Sequence, residues 1–498
     1  MIDLFGNCKP LGAHLGRREF LKIGSTGTLG LGLSDWMNFR EVQAQPLSTD
    51  HFGRAKSCIL LYLYGAHPQH ETFDPKPEAP VEVQGELGAI PTNVPGVFFG
   101  EGLPRTAQVM DRITVIRSMT HPYPLHCFAY AVTAMPTYNT SFEFAPRHSQ
   151  AWPFVGSVVD YCQDKITNST QPIPANIGLP WKSGSRCDRG ALGGPYAAFL
   201  GNKHDPLWTD FVGKGTRVVP KLSEGQTKQV YDPWGGCEES GKFQLSPACE
   251  IPKSVTLNRL NLRRELLNQF DHARSELGSS KAIQTYSNQQ QLAYSLLTSN
   301  KLRDAIDIHQ EPDVVRERYG MTLFGQSALA ARRVVEAGGK FVSVIWDAFD
   351  IFAGCVWDTH SNHYPRLKNY LLPTLDQALP TLICDLDERG LLDETLVLCI
   401  SEHGRTPKVK TNLPGGGRDH WSRVYSIMAA GGGIAKGRIV GESDSQGGEV
   451  KATPISPKDI LATAYYLLGI NPDTLIPDRS GRPLRIAGDG HVRPELLG

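Results

Sequence analysis

The sequence predicts an α/β fold built on a mostly parallel β-sheet with helices on both faces. Five short apolar runs, rich in β-branched and aromatic residues, have the length of buried strands. Segments with apolar residues at intervals of three and four alternate with these runs, as helices do. The alternation extends over about 400 residues and is typical of a sheet covered on both faces. The predicted strands lie at 57–64, 113–116, 341–346, 395–400 and 425–430.

Helical periodicity covers four further segments. Glycine follows two of them, at Gly338 and Gly390, and glycine directly past the last turn is a common helix stop. A shorter apolar helix is expected at 125–134. The four predicted helices lie at 254–302, 326–337, 368–389 and 457–468.

Composition and charge restrict the classes of function. A chain of 498 residues can bury one large core or two smaller ones. Lysine plus arginine and aspartate plus glutamate both total 51, so the formal net charge is zero. This balance argues against a nucleic-acid or membrane-surface partner, which usually requires a basic patch. No apolar run reaches the length of a membrane-spanning helix, so no stable membrane anchor is expected.

The N-terminus looks like a twin-arginine export signal. Gly-Arg-Arg-Glu-Phe-Leu-Lys at 16–22 precedes a weakly apolar stretch, and Val-Gln-Ala at 42–44 has the small residues of a cleavage site. The alternative is an ordinary amphipathic helix. We therefore expect residues 1–45 to be a signal read by the twin-arginine machinery, and the protein to act in the periplasm or outside the cell. Residues 46–498 are expected to form a single domain with a loop-rich insertion near 165–256.

The strongest chemical motif is Glu402-His403-Gly404-Arg405, which directly follows the predicted strand 395–400. In open α/β sheets, ligands bind outside the carboxyl ends of the strands. Two polar clusters flank this motif, WDTHSNH at 357–363 and GRDHW at 417–421. Carboxylate and imidazole groups in this mixture suit zinc, manganese, iron or calcium, so the sequence predicts a metal site.

Two other strand ends carry polar groups. The strand 57–64 leads into HPQHETFDPK at 67–76, which offers Glu71 and Asp74 as ligands, with Glu71 preferred; the alternative is a solvated turn. After the strand 113–116, Thr120 is a hydroxyl candidate by position. His126 lies near the start of the short predicted helix, where anions are favoured, although it could be purely structural.

These motifs resemble the DUF1501 family of exported proteins. The likeness lies in WDTHSNH, SEHGRTPK and GRDHW, with HPQHETFDPKP near the start, and extends to RRELLNQFD, EPDVVRERYG and RGLLDETLV. That family is placed in the alkaline phosphatase and sulfatase superfamily. The resemblance implies an alkaline phosphatase-like three-layer sandwich around the mostly parallel sheet.

The resemblance also implies a metal site for one or two divalent ions, with zinc, calcium and manganese as the candidates. The superfamily supplies an aspartate after the first strand, an Asp-His cluster, an Asp-His-Gly strand end and a later histidine. The counterparts here would be Glu71 or Asp74, Asp358 with His360 or His363, Glu402-His403, and His420.

The chain departs from the superfamily pattern at two of these positions. Glu402 replaces an aspartate, which lengthens the reach by one methylene group. Asn362 stands where the superfamily often has a histidine four residues after the aspartate, so His360 and His363 compete, with His360 preferred.

The implied reaction is the hydrolysis of a phosphate or sulfate ester carried by a small molecule or a glycan. Bound metal ions would polarise the ester, and Arg405 and Arg418 would clamp its anionic oxygens, since guanidinium pairs bidentately with such groups. Each arginine could instead form a surface salt bridge. Thr120 and His126 are the other candidate catalytic residues.

No sulfatase-type nucleophile motif is present. Neither Cys-x-Pro-x-Arg nor Ser-x-Pro-x-Arg occurs, and Cys127 lacks the proline and arginine, so a formylglycine mechanism is not expected. This absence motivates an alternative, a non-catalytic protein that uses the same fold to recognise a sulfated glycan or a protein partner. A further alternative is that the motif residues form a satisfied polar network that stabilises the core.

Overall fold

The structure, a computed structural model, describes most of the chain from residue 49 onward. The predicted export signal at 1–45 and most of the helix predicted at 254–302 lie outside the described residues. Residues 50–498 form one compact unit. The described ranges are 49–166, 173–223, 226–246, 258–259, 261–263, 265–266, 299–351 and 354–498.

Nine strands form the central sheet, in the order β9-β2-β8-β7-β1-β6-β3-β4-β5. Five of the neighbouring pairs are parallel, while β8 runs against both of its neighbours and β5 runs against β4. The predicted α/β class and mostly parallel sheet are therefore confirmed. The strands are β1 Ser57–Leu63, β2 Ile113–Met119, β3 Asn176–Leu179, β4 Leu207–Val212, β5 Lys242–Leu245, β6 Phe341–Trp346, β7 Thr395–Ile400, β8 Tyr425–Ala430 and β9 Arg438–Val440.

Helices cover both faces of this sheet and give three layers. The helices α2 and α3 share one apolar core with Ile59 and Leu61 of β1, and α1 and α4 share the other core with Leu60 and Tyr62. The side chains of β1 thus alternate between two buried faces, and burial of each large apolar one contributes about 1.5–3 kcal/mol. The long helices are α1 Val155–Ile166, α2 Leu323–Glu336, α3 Leu372–Glu388 and α4 Pro457–Leu467.

Shorter elements connect these layers. No helix of the described residues is long and apolar enough to cross a membrane. The short helices are Val81–Gln84, Pro104–Ala107, Phe128–Ala131, Lys301–Ile306, Asp313–Tyr319 and His363–Arg366. The short strand pairs are Ala89–Pro91 with Phe98–Gly100, Val218–Ser223 with Gln226–Tyr231, Gly404–Arg405 with His420–Trp421, Glu442–Ser443 with Val450–Ala452, and Leu475–Pro477 with Pro483–Arg485.

The segment 165–256, expected to be a loop-rich insertion, contributes β3, β4 and β5 to one side of the main sheet. These strands are only four to six residues long, too short for their pattern alone to identify them, so their sheet membership depends on tertiary pairing. Gly178 in β3 is an example of this dependence on neighbouring strands. A Cβ at this position would lie 2.3 Å from the ring of Trp208 in β4, so the close packing of the two strands requires glycine. At 125–134, only Phe128–Ala131 is helical.

The sheet topology brings the polar motifs to one edge. The carboxyl ends of β1, β2, β6 and β7 point to the same side, and antiparallel β8 begins there. At the end of β1, Gly65 has φ +95° and donates its N–H to Glu402 Oε1 at 2.7 Å. A Cβ on Gly65 would lie 2.4 Å from the backbone nitrogen of Asp358. Glycine is therefore required both by the backbone angle and by the close approach of the 358 segment.

We predict that Gly65→Ala lowers the free energy of unfolding by about 2–5 kcal/mol, because it adds steric overlap to left-handed backbone strain. Gly338→Ala is the matched control: its φ is +105° and no atom lies within 4 Å of the added Cβ. The control should cost only the backbone term of about 1–2 kcal/mol. Urea denaturation followed by circular dichroism measures both, and equal costs would contradict the close packing at Gly65.

Candidate metal centre

Six of the predicted site residues come together at this edge of the sheet. Two follow β7, one precedes β8 on the Gly404–Arg405/His420–Trp421 ribbon, two lie in the loop after β6, and one lies after β2. Ion pairs, hydrogen bonds and ring contacts join them into one cluster. The residues are Glu402, His403, His420, Asp358, His360 and His126.

Asp358 is the centre of this cluster. Its Oδ1 lies 3.1 Å from Nε2 of both His360 and His420, and its Oδ2 lies 3.3 Å from Nε2 of His126. Burial alone would raise the pKa of Asp358, but the charges of Arg405 and His126 outweigh it and hold the pKa well below its usual range. Asp358 is therefore an ionised carboxylate surrounded by imidazoles.

His403 presents an unpartnered acceptor to the cluster. Its Nδ1–H donates to the carbonyl of Gly404 at 2.8 Å, which leaves a lone pair on Nε2. This side chain is fully buried, and Nε2 has no hydrogen-bond partner among the described residues. Burial, together with the neighbouring His420, Arg405 and His126, lowers the pKa of His403 well below its usual value. His403 is a neutral imidazole with the lone pair that a metal ion requires.

Glu402 supplies a second buried oxygen of this kind. Its Oε1 accepts the Gly65 N–H and lies 3.4 Å from Nδ1 of His126, while Oε2 has no hydrogen-bond partner among the described residues. Tyr62 lies beside this carboxylate, and its pKa is raised by burial and by the charge of Glu402. The Tyr62 hydroxyl and Glu402 Oε2 nevertheless do not meet hydrogen-bond geometry. A buried acceptor without a partner costs about 1–3 kcal/mol, which a bound cation would offset.

Two partly buried histidines of the cluster, His420 and His126, have opposite proton affinities. Burial lowers the pKa of His420 to about 4, so this imidazole is neutral near pH 7. Burial also acts to lower the pKa of His126, but the carboxylates of Asp358 and Glu402 outweigh it and raise the pKa to about 10. His126 is therefore an imidazolium that supplies the counter-charge of two carboxylates.

The cluster fits a divalent metal ion. Ligand atoms of His126, His403 and His420 lie within 4.8 Å of one another, and so do those of Asp358, His360 and His420. Nitrogen and carboxylate donors together suit zinc or manganese, whereas calcium prefers oxygen ligands. Asp358, His360, Glu402, His403 and His420 would hold the ion.

Glu71, His363 and Arg418 form a separate buried group. Arg418 donates from Nε at 3.0 Å and Nη2 at 2.6 Å to Glu71 Oε1, and His363 Nε2 lies 3.5 Å from the same oxygen. Burial acts to raise the pKa of Glu71, but Arg418 and His363 outweigh it and lower the pKa below its usual range. Glu71, predicted as a metal ligand, is thus paired with Arg418, whereas burial lowers the pKa of His363, the other predicted ligand, and keeps its imidazole neutral. Glu71 Oε2 and His363 Nε2 have no hydrogen-bond partner among the described residues.

Arg405 and Arg418, which were predicted to clamp the anionic substrate, are instead paired with groups of the protein itself. Arg405 is fully buried and donates to Asp358 Oδ1 at 2.6 Å and to the carbonyls of Gly65, Ala66 and Arg418. Arg418 is also fully buried, and besides Glu71 it donates to three backbone carbonyls. Their donors are used by the protein itself, so these guanidinium groups hold the loops together.

Asp74 and Thr120 do not join the cluster. Asp74 accepts hydrogen bonds from Lys76 at 2.9 Å and from the Ser443 hydroxyl, and it lies 3.4 Å from Arg117. Thr120 donates its backbone N–H to Ile455 at 2.9 Å, and its hydroxyl makes no hydrogen bond with the cluster among the described residues. A metal role for Asp74 and a nucleophile role for Thr120 have no contact to support them.

The structure adds three residues that were not given a role from the sequence, although Asp419 lies in the GRDHW cluster. The ring of Tyr64 stacks on His126 with centroids 5.3 Å apart, and the Tyr64 hydroxyl donates to Glu143 at 3.0 Å. Asp419 lies 2.8 Å from Nδ1 of His360. Asp419 could have been found from its place in GRDHW, beside His420. Glu143 lies in an irregular loop with no such signal.

Comparisons with known proteins show which family the chain matches and which solved structures it is similar to. The model of the family described as "Protein of unknown function (DUF1501)" matches residues 55–497, which include the whole cluster. No curated protein matches the chain. The PsFucS1 sulfatase from Pseudoalteromonas sp. is 12% identical over 90% of this chain and 72% of that one, with a TM-score of 0.38. Alkaline phosphatase from the Antarctic bacterium TAB5 is 13% identical over 78% of this chain and 95% of that one, with a TM-score of 0.33.

We predict that Arg418→Ala lowers the free energy of unfolding by about 3–5 kcal/mol, because it leaves Glu71 buried without its counter-charge. Arg423→Ala is the control, since Arg423 pairs with Glu449 at 2.9 Å but both side chains are exposed. That exposed pair should contribute less than about 1 kcal/mol. Chemical denaturation measures both values. Similar small losses would show that Arg418 does not stabilise the fold and would restore it as a candidate for substrate binding.

The affinity for Zn²⁺ should rise with pH, by about tenfold per unit between about pH 6 and pH 9. A divalent ion would replace the His126 imidazolium as the counter-charge of Asp358 and Glu402, so binding releases the proton that His126 holds below its pKa of about 10. His420, with a pKa of about 4, should contribute no proton in this range. Calorimetry in buffers of different ionisation enthalpy measures the proton release. The His126→Asn variant should release none, and equal release by both proteins would contradict the assignment.

Proposed function

The chain belongs to the DUF1501 family, and we propose that this member is an exported, metal-dependent hydrolase of phosphate or sulfate esters. The observation that carries the proposal is the buried Nε2 of His403, which lacks a hydrogen-bond partner among the described residues although ligand nitrogens of His126 and His420 lie within 4.8 Å of a ligand nitrogen of His403. A satisfied structural network would not leave this acceptor unpaired. The alternative that these residues only stabilise the core is therefore disfavoured.

The residues of the cluster would act in distinct ways. A divalent ion held by Asp358, His360, Glu402, His403 and His420 would supply a Lewis acid for the negative charge of the ester. Arg405 orients Asp358, and the Gly404 carbonyl fixes the tautomer of His403. Once its proton has left, His126 can accept a proton from an attacking water and pass it to the leaving alcohol. The ester and water thus give an alcohol and inorganic phosphate or sulfate, with no covalent intermediate on a side chain.

Water is the proposed nucleophile because the candidate side chains are badly placed. The Thr120 hydroxyl has no hydrogen bond with the cluster among the described residues. Cys127 is buried, its Sγ lies 3.5 Å from the Glu402 carbonyl, and burial raises its pKa well above the usual value. A thiol in that state is a poor nucleophile.

The substrate and the location follow from the same proposal. With Arg405 and Arg418 buried, the ester anion would meet the metal ion first, and a small molecule or a glycan could carry it. The twin-arginine pattern at 16–22 supports export to the periplasm or beyond. That route carries folded proteins, so the metal could be bound before export.

We predict that the mature protein contains one or two equivalents of a divalent metal and turns over at least one member of a panel of aryl sulfates, phosphomonoesters and phosphodiesters. His420→Ala should lose metal and at least about 100-fold of the activity, since even residues behind the ligands typically matter 10–100-fold. His309→Ala is the control, because this exposed histidine makes no contact with the cluster among the described residues, and its ring Nε2 lies 3.1 Å from the Gly241 carbonyl oxygen.

Two outcomes would separate the alternatives. A metal-loaded protein with no turnover on the panel would favour the non-catalytic protein that binds a sulfated glycan or a protein partner. A folded native protein that contains no metal would contradict the proposed function.

A further inference from the structure

His360 is the most exposed residue of the candidate metal centre. Its side chain is 41% exposed, whereas His403 is fully buried and Asp358 is 11% exposed. Its Nε2 nevertheless points inward, 3.1 Å from Asp358 Oδ1 and 3.0 Å from Nε2 of His420. An exposed imidazole has rotamer freedom that burial does not restrict, so another contact must hold it in this orientation.

That contact is the carboxylate of Asp419, whose Oδ1 lies 2.8 Å from Nδ1 of His360. A carboxylate accepts a hydrogen bond from Nδ1–H, which leaves the lone pair on Nε2 and turns that atom towards the cluster. The tautomer of His403 is fixed in the same way, because its Nδ1–H donates to the backbone carbonyl of Gly404. His360 differs because its partner is a charged side chain.

Asp419 itself is fixed by the backbone of the ribbon. Its N–H donates to the Thr406 hydroxyl at 3.0 Å, and its carbonyl accepts from the Thr406 N–H at 2.9 Å. The next residue is His420, which pairs with Arg405 in the ribbon. One short segment therefore presents His420 to the metal and Asp419 to His360.

We propose that Asp419 is a positioning residue of the metal centre, which fixes the tautomer and orientation of His360 and so slows the loss of the ion. This inference rests on the metal site of the proposed function. It gives a role to an aspartate that contacts neither the substrate nor the ion.

The competing explanation is an ordinary surface ion pair. Lys410 Nζ lies 2.7 Å and 2.6 Å from the two oxygens of Asp419, and both side chains are about 40% exposed. Pairs of this kind contribute about 0–1 kcal/mol and would not affect a metal ion. The two explanations differ in which neighbour of Asp419 matters, His360 or Lys410.

The test measures the rate at which an excess of chelator removes Co²⁺ from the mature protein. The visible absorption of bound Co²⁺ reports this loss. Asp419→Ala should speed the loss of Co²⁺ about 10–100-fold, the usual effect of removing a carboxylate behind a metal-binding histidine. Asp419→Asn, which keeps an acceptor oxygen without the charge, should restore part of the retention. Lys410→Ala is the matched control and should remain within about twofold of the wild type, because an exposed ion pair contributes little.

A double variant separates positioning from a general loss of structure. Because Asp419 acts through His360, the rate of Asp419→Ala/His360→Ala should equal that of His360→Ala, and both should share one altered Co²⁺ spectrum. Additive effects of the two substitutions, or a wild-type rate in Asp419→Ala, would overturn the inference while the metal site stands. A wild-type protein that binds no Co²⁺ and no other divalent ion would overturn the proposed function, and this inference with it.

Discussion

The buried guanidinium of Arg405 holds the candidate centre together. It pairs with Asp358 at 2.6 Å and donates to carbonyls at the end of β1 and to the Arg418 carbonyl. It thereby fastens the loop after β6 to the ends of β1 and β7, from which the other ligands project. Planar, permanently charged arginine suits this task better than lysine, because its five donors can serve several acceptors at once. The geometry of the cluster depends on this one side chain.

The charges around Arg405 explain why the centre can bind a cation. Arg405 and His126 keep Asp358 ionised, whereas burial keeps His403 and His420 neutral. The result is a set that joins the ionised Asp358 carboxylate, the unpartnered Oε2 of Glu402 and neutral imidazoles, with the His126 imidazolium among them. A second pair, Glu71 with Arg418, forms outside this set, and the guanidinium supplies the counter-charge of the carboxylate. Because Arg418 is paired with Glu71, it does not compete with a metal ion for the candidate ligands. Arg405 does contact one of these ligands, Asp358.

The sequence predicted the sheet and the edge at which the motifs meet, because strand periodicity is local and parallel strands share their carboxyl ends. The sequence could not predict which partner each polar residue at that edge contacts. Glu71 and Glu402 both follow buried strands, and only distant loops decide that one meets Arg418 and the other meets Gly65. The sequence analysis interpreted the arginines as substrate clamps because most of their acceptors are backbone carbonyls, which residue types do not reveal, and because their carboxylate partners, Asp358 and Glu71, are distant in sequence. Short strands such as β3 were missed because their pairing, and not their pattern, makes them strands.

The most direct test of this account is anomalous X-ray diffraction from crystals of the protein grown with Zn²⁺, measured on both sides of the zinc absorption edge. We expect an anomalous peak about 2.0–2.1 Å from Nε2 of His403, with Asp358 and His420 also among the ligands. We expect no peak beside Glu71, whose oxygen should still contact Arg418. A map with no peak in the cluster, or with zinc bound between Glu71 and His363, would contradict it.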